Sequence, residues 1–391
     1  TGPTFLVAGR KEVTIRRAPA QPPPPKHTYI VFFIKVAVIL AVALALLLAY
    51  SALQEGIQRV TGIRIQHVSC LIFMCLSVLT DLSTKAAAVS HGHFAFDPAV
   101  CVVIVETCKL VVSVFLFGMT LADPKERSKV MLPTGWDILI LAVPGFVYTC
   151  NNILVFKAIE NVPISTFAVL RETRIIWNAL IWMAVFKVRL GLMRWLAIIG
   201  VLVGCSANQV PAMLRMEFSW GFMWALLLAF TNAAGGVACE FAMKYKASMD
   251  INLQNAILYT SCAGLALVYL AVFQTSTLHS PSAFFAGFAP ECLQIIVLQV
   301  ITGLTVSRIL KHVESVTKSM VAAFCGPVII CLGAFALHTR LHVNEIIAAL
   351  VVVASCVAFL RQGPLAALAP PAEAAGKEPV LNKEPIKGKP A

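Results

Sequence analysis

From residue 69 onward the chain alternates apolar runs with short polar loops, and each run is close to the length a bilayer requires. A hydrocarbon core about 30 Å thick is crossed by about 20 helical residues at about 1.5 Å each. The pattern predicts ten membrane helices, at 69–89, 99–121, 136–156, 164–186, 195–210, 219–239, 255–275, 293–310, 319–337 and 343–360. Residues 1–27 are polar and basic, with Arg10, Lys11, Arg16 and Arg17, and run into Pro22–Pro25, the composition of a disordered tail. Residues 28–52 form one more hydrophobic segment, read as a signal-anchor or an extra helix, and residues 363–391 turn to Ala, Pro, Glu and Lys, a second disordered tail.

The loops differ in charge. Lys125, Arg127 and Lys129, then Lys187, Arg189 and Arg194, then Lys244 and Lys246, then Lys311 fall in every second loop, while the alternate loops hold only Lys157, Arg215 and Arg340. The positive-inside rule places the first set in the cytosol, and ten helices bring both ends of the core there. Segment 28–52 conflicts with that arrangement if it spans and stays attached, because the basic tail would then lie on the other side. Cleavage or an unusual eleventh helix resolves the conflict.

The core also reads as duplicated. A shift of roughly 150 residues lays AIENVPI (158–164) on ILKHVES (309–315), Arg189-Leu190 on Arg340-Leu341, and VLVGCSA (201–207) on VVASCVA (352–358). The halves are then 66–210 and 219–362, with five helices each. An odd number inserts the second half upside down, the inverted repeat used by secondary transporters.

Composition agrees with this reading and removes other function classes. Hydrophobic residues make up 59% of the chain and charged ones 13%, against about 45–50% and about 25% in soluble domains. The fold expected is an all-α integral membrane protein. The net charge of +12 lies largely in loops and tails, so nucleic acid is not a partner and membrane lipid is. The twelve cysteines show no CxxC spacing and read as buried free thiols. The histidines lack metal-ligand spacing, and no GxSxG, P-loop or kinase set occurs, so neither an enzyme nor a cofactor is expected.

Charges inside the apolar runs carry the functional signal. Glu106 with Lys109, and Asp81 with Lys85, stand one helical turn apart and neutralise each other. Glu240 and Lys244 are read as a solvated helix end, and Lys318 opens the ninth helix with Glu314 one turn away. Arg171, Glu172 and Arg174 fall within the fourth helix, where one arginine costs about 2.5–3.5 kcal/mol on insertion scales. Arg171, Arg174 and Asn178 would share a helix face. Either the arginines snorkel or pair with Glu106 or Glu172, or they bind an anion, for which guanidinium is suited by its fit to phosphate. Tyr148, Asn151, Asn152, Trp177, Asn255 and Tyr259 could handle a base or sugar, although a single membrane tyrosine or asparagine is more often a packing contact.

Four stretches, in order, carry a resemblance: ETCK at 106–109, VPGFVYTCNNILVFKAIENVPISTFAVLRETRIIWNALIW from 143, CEFAMKYKASMDINLQNAILY from 239, and LTVSRILKHVESVTKSMVAAF from 304. The chain resembles the nucleotide-sugar transporters of the drug/metabolite transporter superfamily, in the CMP-sialic acid and UDP-galactose branch. The resemblance implies a ten-helix Golgi carrier that exchanges a cytosolic nucleotide sugar for a lumenal nucleoside monophosphate, with ER or plastid envelope as other locations and a homodimer left open. It further implies substrate binding by Tyr148, Asn151, Asn152, Arg174, Asn255, Tyr259 and Lys318, with Arg174 and Lys318 at the positions of phosphate-contacting lysines. Arg171, Glu172 and Arg174 replace the tyrosine, glutamine and lysine of animal members, and the extra Arg171 suits a more anionic ligand such as a nucleoside diphosphate sugar. The rival readings are a plastid-type phosphate translocator or other metabolite exporter, and a non-transporting scaffold or receptor.

Overall fold

The computed structural model describes residues 65–89, 96–161, 170–207, 220–288, 290–336 and 343–363. The expectations for the N-terminal tail, segment 28–52 and the C-terminal tail beyond 363 fall outside them, as do the side chains of Asp81 and Lys85. Ten long helices run through the described residues: α1 (Ile65–Val89), α2 (Pro98–Ala122), α3 (Gly135–Asn161), α4 (Arg174–Phe186), α5 (Leu192–Ala207), α6 (Trp220–Tyr245), α7 (Ile251–Phe273), α8 (Pro290–His312), α9 (Ser315–Ala336) and α10 (Val343–Leu360). Among the described residues there is no strand. Helices α2, α6, α7, α8 and α10 are each long and apolar enough to cross a membrane. Val111, Val114 and Phe115 on α2, Val268 and Val272 on α7 and Leu350 on α10 are exposed, as a lipid-facing surface requires. The protein is an all-α membrane protein.

Local chemistry sets several boundaries. Asp97 caps α2 by accepting from the Ala99 N–H, with Pro98 in the first turn. Asp250 accepts from the N–H groups of Asn252 and Leu253, which starts α7 four residues before the expected position 255. The fourth helix departs from expectation. Residues 170–172 are helical, Thr173 is a turn, and α4 begins at Arg174. The Thr173 hydroxyl donates to the Leu170 carbonyl at 2.6 Å and its N–H reaches the same oxygen at 3.2 Å, an i−3 pattern that tightens the backbone between the two arginines.

The packing has a near-symmetry. α3 packs on α6 as α8 does on α1; α3 on α7 as α8 on α2; and α4 on α6 as α9 on α1. α2 with α7, α4 with α9 and α5 with α10 pair across the halves. Advancing every helix by five places returns these same pairs. Side chains repeat the relation: Thr231 on α6 donates to Asn151 on α3 at 3.3 Å, and the hydroxyls of Thr80 on α1 and Thr302 on α8 meet at 3.4 Å. Asn151 to Thr302 and Thr80 to Thr231 are separated by the same 151 residues, the shift that aligns the two halves in sequence.

Equivalent helices α5 and α10 run antiparallel. Arg194 donates to the carbonyls of Gln362 and Gly363 at 3.2 and 3.1 Å, Gly200 faces Ser355, and Gly204 faces Val352 and Ala348. Numbers rise along one helix as they fall along the other, as an inverted repeat requires. The contact depends on Gly204, where a Cβ would stand 2.7 Å from Val352 Cγ2 and 3.1 Å from the Ala348 carbonyl oxygen. Because the second obstacle is backbone, Gly204→Ala is expected to destabilise the protein by about 1–3 kcal/mol, read as a lower thermal midpoint in detergent, while Gly118→Ala, which meets open space, leaves it unchanged.

Candidate functional site

Helices from both halves enclose a cavity of about 540 Å³, to which α2 contributes Glu106 and Lys109, α3 Tyr148 and Asn152, α7 Tyr259, and α9 Lys318. Four of the residues singled out in the sequence thus meet there: Tyr148, Asn152, Tyr259 and Lys318. The Glu106–Lys109 pair, expected from spacing, closes at 2.7 Å and forms part of the same wall. Lys109 Nζ also lies 5.2 Å from the Tyr259 ring centroid, a cation–π contact. The Tyr259 hydroxyl donates to the Gly303 carbonyl at 3.1 Å. A Cβ at Gly303 would stand 2.6 Å from Lys109 Cε, so a side chain there would displace the end of that lysine. Glu106 Oε2 is buried and has no hydrogen-bond partner among the described residues.

Lys318 differs from Lys109. It lies in the first turn of α9, its N–H bonded to the Glu314 carbonyl at 3.0 Å, with its ammonium 5.6 Å from the Phe73 ring. No carboxylate among the described residues lies within ion-pair distance of it, and it is within the electrostatic reach of Arg174. An uncompensated ammonium in a membrane cavity is a site for an anion.

The other singled-out residues stand elsewhere. Asn151 faces α6, where it accepts from Thr231. Asn255 is fully buried, and neither its amide nitrogen nor its oxygen has a partner among the described residues. Arg171 and Arg174 flank Glu172 at 3.5 and 3.6 Å, and the Arg171 side chain is 46% exposed against 23% for Arg174. Neither arginine lines the cavity, and the turn at Thr173 separates their faces. Trp177 packs edge-on against Phe230 with centroids 5.5 Å apart. Asn178 is buried and ties α4 to α9. Its amide donates to the Ser315 carbonyl and the Ser319 hydroxyl at 3.2 and 2.7 Å, and it accepts from the Ser315 hydroxyl at 3.0 Å.

The solvated helix end expected at Glu240 is corrected. Glu240 is fully buried, because α6 continues to Tyr245 and carries it inside the bundle. Its carboxylate accepts from Lys244 Nζ at 2.8 Å, the Trp182 indole N–H at 3.2 Å and the Ser315 N–H at 2.7 Å. The signal for this was an acid one turn before a lysine in an apolar helix; its partners on α4 and α9 lie too far along the chain for spacing to reveal.

A family model described as nucleotide-sugar transporter matches residues 61–360. The chain belongs to the nucleotide-sugar transporter family. Similar curated proteins include a UDP-N-acetylglucosamine transporter of Rattus norvegicus, 24% identical over 63% of this chain and 79% of that protein. CMP-sialic acid transporter 2 of Oryza sativa subsp. japonica is 23% identical over 63% and 71%. A UDP-galactose translocator of Bos taurus is 25% identical over 68% and 70%. A solved crystal structure at 14% identity superposes with a TM-score of 0.57, covering 75% of this chain and 95% of that one, and shares the fold. As a member of this family the protein is a carrier and not an enzyme, and the cavity between its halves is the place to look for cargo.

Proposed function

We propose that the protein exchanges a cytosolic nucleotide sugar, a UDP- or CMP-sugar, for a lumenal nucleoside monophosphate across the Golgi membrane, by alternating access between halves 66–210 and 219–362. The observation that carries this reading is the uncompensated Lys318 in a cavity that both halves wall. Its ammonium takes the phosphate, a group that nucleotide sugar and nucleoside monophosphate share. Tyr148, Tyr259 and Asn152 supply ring faces and an amide for base and sugar. Arg174, with Arg171 behind it, approaches the same phosphate from α4 when the α4 and α9 ends move together, and Asn255 offers its unpaired amide from α7. The names of the similar transporters favour UDP- and CMP-sugars.

Binding neutralises cations that otherwise oppose closure, so movement of the halves is coupled to occupancy. The test is uptake by proteoliposomes offered a panel of labelled UDP-, CMP- and GDP-sugars beside bare sugar phosphates. Uptake of a UDP- or CMP-sugar, with sugar phosphates excluded, is the expected result. Uptake of a sugar phosphate without any nucleotide sugar replaces this reading with that of a phosphate translocator.

A further inference from the structure

Partly buried polar bonds hold the end of the bundle that carries the basic loops, one of them between the halves. Lys246 pairs with Asp137 of α3, Lys311 donates to the Met249 carbonyl at 2.8 Å, and Arg308 donates to the Asn252 side chain at 2.9 Å. Charge in the loops makes this the cytosolic end. The cavity extends the other way, where Phe96, Pro98 and Ile295 line it near the opposite helix ends.

Glu240 adds a fully buried bond between the two halves at this end. Glu240 is anchored within the second half by Lys244 and by the first N–H of α9, where helix-end partial charge favours a carboxylate. From that anchor it grips the first half through the Trp182 indole N–H, and Asn178 grips the same Ser315 from α4. Both contacts are buried, so each must be replaced by water or lost when α4 leaves α9. The turn they hold is the one that presents Lys318 to the cavity.

We infer that Glu240 is a positioning residue and the latch of a cytosolic gate. It holds the first turn of α9, and with it Lys318, against Trp182 and Asn178, and the cavity opens to the cytosol only when the bonds to α4 break. The inference rests on the carrier reading above. Sequence spacing hides such a latch, because its partners lie 58 and 75 residues from Glu240.

Cavity-lining Cys239, next to Glu240, supplies a readout that needs no transport. The experiment uses the full chain with Cys101→Ser and Cys262→Ser in sealed oriented vesicles, and compares Trp182→Phe and Glu240→Gln with their parent. A membrane-impermeant maleimide is applied to one face at a time, and modification of Cys239 is read by peptide mapping. Trp182→Phe keeps a buried aromatic ring while removing the indole N–H and part of the ring volume; Glu240→Gln keeps an acceptor and removes the charge. Labelling from the cytosolic face is expected to quicken about fivefold or more, as loss of one net hydrogen bond would give, with no rise from the lumenal face. Unchanged labelling in both variants overturns the latch, and so does an equal rise from both faces, the signature of general loosening. A one-sided rise in a protein that carries no nucleotide sugar would leave the latch standing and remove the carrier reading beneath it.

Discussion

Lys318→Ala is expected to lower kcat/KM for nucleotide-sugar uptake by roughly 10- to 150-fold, the equivalent of losing a hydrogen bond to a charged group worth about 1.5–3 kcal/mol. The expectation follows from the charge balance of the cavity. Lys109 is committed to Glu106, and the arginines of the fourth apolar run flank Glu172, so Lys318 is the cavity cation without a carboxylate among the described residues. On the proposed reading, its replacement removes the attraction for the phosphate of the cargo. Lys318→Arg keeps the charge and should restore a large part of the rate, though guanidinium presents it in another geometry. Uptake measured at several substrate concentrations, with protein amount and thermal midpoint held equal, checks the result. Full activity in Lys318→Ala would remove the residue from the site.

Lys109→Met is expected to destabilise the protein by about 3–5 kcal/mol, since removing one partner leaves the other as an uncompensated buried charge. Both side chains of this pair are 11% exposed, and Lys109 fills the space beside Gly303 while facing the Tyr259 ring. Methionine retains much of the volume, so the loss is chiefly electrostatic. The double variant Glu106→Gln with Lys109→Met has no charge to leave unpaired and should recover most of the thermal midpoint. A single variant as stable as the parent would mean that Glu106 is neutral in the folded protein.

The ten helices were readable because each apolar run has to satisfy a bilayer, and the duplication was readable because repeated helices kept short matching words at a fixed shift. Thr80, Asn151, Thr231 and Thr302 now give that shift a structural meaning as two equivalent contacts. Which polar side chain faces the cavity was less accessible. Asn151 and Asn152 are neighbours, and about 100° of helical rotation separates them; Asn152 lines the cavity while Asn151 holds α6. The break at Thr173 was hidden because a threonine within a long apolar run is compatible with continuous helix, and the turn is marked only by the bonds of its hydroxyl and N–H to the Leu170 carbonyl. Glu240 was misread because its chain neighbours suggested an exposed end, whereas its burial is decided by α4 and α9.

Obligatory exchange tests the account most directly. Proteoliposomes are prepared empty or preloaded with UMP, CMP or GMP, and initial uptake of one labelled nucleotide sugar is compared between them. If, as proposed, the cations of α4 and α9 oppose closure of an empty site, uptake should be rapid only when the internal nucleotide carries the matching base, and close to background in empty vesicles. Equal uptake into empty and preloaded vesicles would show the unloaded carrier crossing freely, and would contradict the coupling of movement to phosphate at Lys318.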